Sequence, residues 1–326
     1  MTKTNRFTLI ATFLLGVLLY MILRFAQDLN VAWDGSLRKP PPQTAAPNTP
    51  ALPRITDTTD LDTLLQAQGI DSVAAIEGYT HWSDARGFTG ANRLFGTARI
   101  EPADTSVASD DTQLRAQSSA GEAAATQILA AQLLFTDPFS AIKLFHTAAE
   151  QSSTFALLRI ASLLEAIDTA GIGNTSADSA QQQRLAEITA QGVDNSLRLT
   201  AFGYVVTAIR DGGIPIIDPA LRAWLDQLGK DITNDELVAV CAWSERTLFD
   251  IAKGRARNGK PPVMTDTPPI LFTLPGIADQ LPCSRTAHPI ENLLDLTNCS
   301  VTEVHNNADE ALNLHICLMG QISMQP

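Results

Sequence analysis

Over residues 125–164 the apolar positions recur with a helical period, and one pattern begins again 31 positions later, from 125 to 156. Ala125, Leu129, Ala130 and Leu133 return as Ala156, Ile160, Ala161 and Leu164, each set lying on one helix face. Between them Asp137, Ala141, Leu144, Phe145, Ala148 and Ala149 form a second helical face. The small residues let two helices approach closely, and the larger ones fill the space between pairs. Gly121-Glu122 and Ser152-Ser153 fall at one slot, the tight turn between successive pairs. Self-similarity at this period predicts stacked helix pairs. A weaker third copy follows, with Gly192 at the turn and Ser196, Thr200, Ala201 and Tyr204 on the next helix.

Punctuation agrees with these elements. Asp137-Pro138 opens a helix, with Asp as N-cap and Pro in the first turn. Ser153 or Thr154 caps the next, and residues 168–177 end it with Gly171 and Gly173 before Thr175 and Ser176 offer fresh caps. Pro219 starts another helix, and Asn234 caps a long one over residues 235–257, closed by Asn258-Gly259. Upstream, residues 57–76 read as short helices broken at Gly69. Tyr79, Trp82 and Phe88 surround Arg86 and Gly87 and are expected to cover the first helix pair; residues 97–109 read as a loop.

After the proline-rich break at 261–275 the period changes to two. Leu312, Leu314, Ile316 and Leu318 alternate with polar or small residues, as a half-buried strand does, and residues 299–305 supply a partner. The register that fits places Cys299 opposite Cys317. A disulfide there would close a loop of about 18 residues and contribute roughly 3 kcal/mol. Cys283 is a rival partner, for these or for Cys241, and spacing alone leaves the connectivity open. Cys299, His305, His315 and Cys317 also suit zinc by ligand type, but their spacing is not a knuckle pattern.

The chain's start changes the setting. Residues 7–23, from Phe7 to Leu23, carry no charge over 17 positions. As a helix this is ~26 Å, near the lower limit for crossing ~30 Å of hydrocarbon. Lys3 and Arg6 precede it, which predicts a cytoplasmic N-terminus. A cleaved signal shares the charged start, but no small-residue cleavage site follows Ile22, so a retained anchor is expected. Pro40, Pro41, Pro42, Pro47, Pro50 and Pro53 then favour an extended spacer. At ~3.1 Å per residue it would hold the following domain roughly 60 Å from the membrane. Four segments result: 1–34, cytoplasmic start and transmembrane anchor; 35–56, proline-rich periplasmic linker; 57–262, helical repeat domain; and 263–326, C-terminal segment with a β-hairpin. The fold class expected is mainly α, a short α-solenoid behind an inner-membrane anchor, with a small C-terminal antiparallel β piece.

Composition narrows the function. The 326 residues carry a net charge of −12 and are 45% apolar. That balance suits a globular body and argues against binding a nucleic-acid backbone, which needs clustered Lys and Arg. Four cysteines are too few for a disulfide-framework protein. The sequence holds no nucleophile elbow, metalloprotease helix motif or phosphate-binding loop, so neither an enzyme nor a cofactor is expected. Gly171 and Gly173 read as a helix terminator. His146 reads as an interfacial histidine, Glu150 and Glu165 as solvated, and His81 beside Trp82 has no nucleophile near it in sequence.

The words A-xxx-LA-xx-L (from Ala125 and from Ala156) and D-xxx-A-xx-LF-xx-AAEQ (from Asp137) resemble the Sel-one-like repeat family, relatives of the tetratricopeptide repeat. The likeness covers residues 121–164 well and extends to 204 more loosely. It departs from the family in the shortened loop Phe135-Thr136-Asp137 and in Ser152, where the family has glycine. The resemblance implies a concave scaffold that holds other proteins. With the anchor and linker, it predicts a periplasmic adaptor for an envelope protein partner. The alternative is a cell-wall or small-ligand binding module that uses the C-terminal β piece.

Overall fold

The computed structural model describes residues 54–55, 65–66, 69–89, 94, 111–170, 179–264, 266–274, 276–277, 281–283, 299–305 and 311–318. The expected anchor at 7–23, the linker up to Pro53 and the loop at 97–109 lie outside these. Among the described residues no helix is long and apolar enough to cross a membrane.

Nine helices are described: α1 (Ser72–Asp84), α2 (Asp111–Ser119), α3 (Ala123–Leu133), α4 (Pro138–Glu150), α5 (Thr154–Thr169), α6 (Ser179–Gln191), α7 (Leu197–Gly212), α8 (Pro219–Leu228) and α9 (Asn234–Arg257). Their starts follow side-chain chemistry. Asp71, Asp137, Ser153, Ser196 and Asp218 each accept the backbone N–H three residues on, satisfying donors that the first turn leaves open. The cap of α9 is Thr233 rather than the expected Asn234. Thr233 pairs reciprocally with Glu236 in a capping box, which satisfies two donors where Asn234 alone would satisfy one.

The turns at Gly121 and Ser152 have the same construction. Gly121 N–H donates to Ser118 O at 3.0 Å and Glu122 N–H to Gln117 O at 3.1 Å; Ser152 and Ser153 repeat this to Ala149 and Ala148 at 3.1 and 2.9 Å. Both turn residues are left-handed, at φ +88° and +87°, the conformation this motif requires. Gly87 and Gly259 end α1 and α9 with the same pair of bonds. Gly192 is an exception. The left-handed residues there are Asp194 and Asn195, at φ 47° and 54°, types whose short polar side chains tolerate that region. The space a Cβ on Gly192 would need belongs to the Thr200 hydroxyl, which accepts Val193 N–H at 2.9 Å.

Packing runs α2–α3–α4–α5–α7–α9, and α9 then returns to α4. In an open stack each helix pair meets its sequence neighbours alone. Here α4, α5, α7 and α9 close a ring, and α2 with α3 stands outside it on α4. Helix α6 flanks the ring, with Leu185 and Ile188 against the core and Arg184 Nη1 3.1 Å from Asp137 Oδ1.

The C-terminal segment forms more sheet than the expected hairpin. β3 (Cys299–His305) and β4 (Ala311–Leu318) pair antiparallel from Cys299↔Cys317 to His305↔Ala311, the expected register. β2 (Ile270–Thr273) adds to β4, and β1 (Arg54–Ile55) runs parallel to β3, giving the order β1-β3-β4-β2. β2 lies within the stretch read as a proline-rich break, and β1 within the stretch read as linker. Pro268 and Pro269 precede the strand and so cost it no ladder bond. All four β2 side chains are buried, and Tyr79 of α1 packs edge-on to Phe272 at 5.2 Å while its hydroxyl donates to Pro215 O at 3.0 Å. Ile270, Phe272 and Ile316 share one core with the helices. Both disulfides form, Cys299–Cys317 and Cys241–Cys283. The second spans 42 residues and is worth about 4 kcal/mol by loop entropy.

Candidate functional site

The residues of the recurring apolar pattern point inward. Ala125, Leu129, Ala130, Ala141, Phe145, Ala148, Ala149, Ala156, Ile160, Ala161 and Leu164 are all buried, and Leu133 and Leu144 partly so. The pattern that identifies the helix pairs therefore builds their interior, and a partner would meet other side chains. On α3 those are plain. Ala124, Ile128 and Ala131 are exposed at i, i+4 and i+7, a second apolar stripe on the same helix, and Phe135 in the turn just beyond it is exposed as well. Ile128 is 46% and Phe135 70% exposed. The signal was available in the sequence as apolar residues out of phase with the inward set. Opposite this stripe, Ala125 and Leu129 pack with Leu114 of α2 and Leu144 of α4 in a small core separate from the main one.

Where α4, α7 and α9 end and α5 begins, a buried polar cluster joins the ring. Arg255 forks Asp211, Nη1 to Oδ1 at 2.6 Å and Nη2 to Oδ2 at 2.8 Å, and its Nε donates to Ala149 O at 3.1 Å. Thr154 Oγ1 donates to Asp211 Oδ2 at 2.6 Å. Both charges are almost wholly buried. Their places suit the helix dipoles: the guanidinium meets the carbonyl end of α4, and the carboxylate lies at the amide end of α5. Burial alone would raise the Asp211 carboxyl, but the charge and hydrogen bonds of Arg255, with the Thr154 hydroxyl, hold it below its usual value. The network continues outward. Thr126 Oγ1 donates to Gln151 Oε1 at 2.6 Å, Gln151 Nε2 to Ser118 O at 2.9 Å, and Gln127 bonds Ser153. These bonds tie the turn after α2 to the turn after α4.

The Trp82–Arg86 pair is engaged by the chain itself. Arg86 lies 4.1 Å over the Trp82 ring and forks Asp266 at 2.7 and 3.0 Å, while Trp82 Nε1 donates to Asp266 O at 2.9 Å. The chain's own 266 segment fills the place a ligand would take. The hydrogen bonds from Arg86 draw the Asp266 carboxyl down. His81, next to Trp82, points to solvent. Its neighbour Tyr79 is buried, and burial followed by the nearby Asp218 charge pushes its hydroxyl well up.

The remaining polar residues bridge elements. Glu165 is not merely solvated: it accepts Trp224 Nε1 at 2.8 Å and Gln227 Nε2 at 3.2 Å, joining α5 to α8. Glu150 lies 3.5 Å from Arg257, and its carbonyl accepts Asn258 Nδ2 at 3.2 Å. His146 stands 3.8 Å from Glu150 at the surface of α4. Gly171 and Gly173 lie outside the described residues, as do the side chains of His305 and Leu312. A shallow open hollow of about 360 Å³ lies between α7, α8 and the start of α9, lined by Phe202, Leu225, Asp226, Gly229, Ile232, Leu237, Leu281 and Pro282. None of the groups with displaced titration lines it.

The chain matches no known family profile, and searches of curated proteins and of solved structures return no match.

Proposed function

We propose that this chain is a membrane-anchored periplasmic scaffold without catalytic activity, and that it holds an envelope protein against the outer face of α3. The observation that carries the reading is the exposed stripe Ala124, Ile128 and Ala131 on α3, continued by Phe135 in the turn after it, in the helix pair that stands outside the closed ring. An apolar helical face of this kind suits a partner helix, which buries it at i, i+4 and i+7. Repeats of the Sel-one-like type, relatives of the tetratricopeptide repeat, would extend over α3 to α5, with α2 as their outer cover. Two disulfides support an oxidising compartment, as expected beyond an inner-membrane anchor at residues 7–23. Structural bonds account for the lowered titrations of Asp211 and Asp266, so these two displaced carboxyls fit a structural role.

The test is charge placed on the stripe. Ile128→Glu with Phe135→Glu should abolish co-purification of the full-length chain's envelope partner while moving its thermal transition by no more than about 4 °C, because exposed substitutions cost little. Retention of the partner by this variant would refute the α3 surface. If substitutions on the β-piece instead remove cell-wall binding, the module reading replaces the scaffold.

A further inference from the structure

We infer that Arg159 of α5 receives an acidic side chain, Asp or Glu, carried by the same partner helix that covers the α3 stripe, an inference that rests on the α3 reading. Two observations meet at this residue: its place beside the stripe, and a guanidinium that the fold itself does not pair.

The place follows from the period. Shifted by 31 positions, as 125 goes to 156, the α3 stripe Ala124, Ile128 and Ala131 falls on Phe155, Arg159 and Ser162 of α5. These three are half-buried where their α3 counterparts are exposed. Phe88 packs edge-on to Phe155 at 5.4 Å and closes the start of the α5 strip. Arg159 stands one turn past that cover, with the Ser162 hydroxyl one turn farther as a second donor. Gln127 bonds Ser153, the N-cap of α5, which sets α3 beside the start of α5. Ile128 is the next residue on α3, and Arg159 lies six residues beyond Ser153 (153 to 159), a rise of ~9 Å. One partner helix of about three turns spans both.

The chemistry follows from the pairing of the other buried guanidiniums. Arg86 and Arg255 each fork a carboxylate, that of Asp266 and that of Asp211. Arg159 forms no ion pair or hydrogen bond among the described residues, and burial draws its guanidinium down with no neighbouring charge to offset it. None of its nitrogens is sealed from solvent, so the fork can be reached from outside. A guanidinium taken partly out of water without a counter-charge costs stability. Its planar fork matches a carboxylate with two parallel hydrogen bonds, which a partner's Asp or Glu supplies.

The probes are three fluorescent, end-capped alanine-based peptides of about 18 residues, long enough to be helical. Each carries leucines at i, i+4 and i+7, flanked by Glu, Gln or Lys. Binding to the full-length chain in detergent is followed by fluorescence anisotropy. The wild type should bind the Glu peptide about tenfold more tightly than the Gln peptide. The net charge of −12 works the other way and favours the Lys peptide, so a preference for Glu reports a local site. Arg159→Met should erase the preference without lowering the midpoint of denaturant unfolding, because it removes an unpaired charge from a half-buried position. Ile128→Gln should weaken all three peptides alike. Equal binding of the Glu and Gln peptides, or a preference that survives Arg159→Met, overturns the Arg159 site. A lowered midpoint in Arg159→Met overturns it too, since the side chain would then be structural. In each of these cases the α3 surface stands if the Ile128 dependence holds. Binding that ignores Ile128→Gln, or no binding of any peptide, overturns both.

Discussion

The ring of α4, α5, α7 and α9 and the outer pair α2–α3 share one turn design, at Ser152 and at Gly121, but they differ in how each is closed. In the ring, Ala148, Ala149, Ala156, Ile160 and Leu164 are sealed on all sides, and the Arg255–Asp211 pair bolts the helix ends together. In the outer pair, Leu114, Ala125 and Leu129 form a core of three buried residues, with Leu144 at its edge. The turns are equivalent, Gly121 matching Ser152 bond for bond. Local sequence therefore makes each helix and its turn, and the long-range return of α9 decides which helices become interior. The unit left outside keeps an apolar face uncovered.

The contrast can be broken most severely at the ion pair. Arg255→Ala strands the Asp211 carboxylate in the interior and should cost roughly 3–5 kcal/mol in denaturant unfolding. Arg255→Met with Asp211→Leu should cost much less than the single change, since no charge is left unpaired. Acid separates the same pair. Because the folded Asp211 carboxyl titrates below its unfolded value, its contribution is complete above that unfolded value. It is lost as pH falls through the lower folded one. The double variant should flatten this acid limb. Asp266 is also shifted down, but at 59% exposure its pair with Arg86 is screened and should add less.

Core truncation tests the two regions next. Leu164→Ala in the ring should cost about 3 kcal/mol. Leu129→Ala should cost less in global unfolding and act mainly by opening α2–α3, seen as faster amide exchange confined to residues 111–133. The smallest effect lies in the shared turn. Ser152→Gly relieves a left-handed serine and should stabilise by about 1 kcal/mol, and Gly121→Ser should cost a similar amount. Chemical denaturation of the two variants measures both signs.

What the sequence made legible was local. Caps at Asp137 and Ser153, the helix start at Pro219, the equivalence of Gly121 and Ser152, and the pairing of Cys299 with Cys317 all follow from spacing within a few turns or one hairpin. Ring closure was not legible, because it depends on Arg255 meeting Ala149 and Asp211, 106 and 44 positions away, and no periodicity records such a meeting. β2 was hidden by the prolines on either side of it and by its four-residue length. β1 has two residues and pairs in parallel with a strand nearly 250 positions later, beyond the reach of pattern. On the α3 stripe the signal was present but drowned: Ala124, Ile128 and Ala131 interleave with Ala125, Leu129 and Ala130, so the helix reads as apolar all round.

The most direct test places a photo-crosslinking residue at Phe135 or at Phe249 in the full-length chain in cells. Both side chains are apolar and exposed, at 70% and 61%, but Phe135 belongs to the outer pair and Phe249 to the ring. The account predicts a discrete protein adduct from position 135, lost with Ile128→Glu, and none from 249. An adduct from 249 alone, or equal adducts from both, would contradict it.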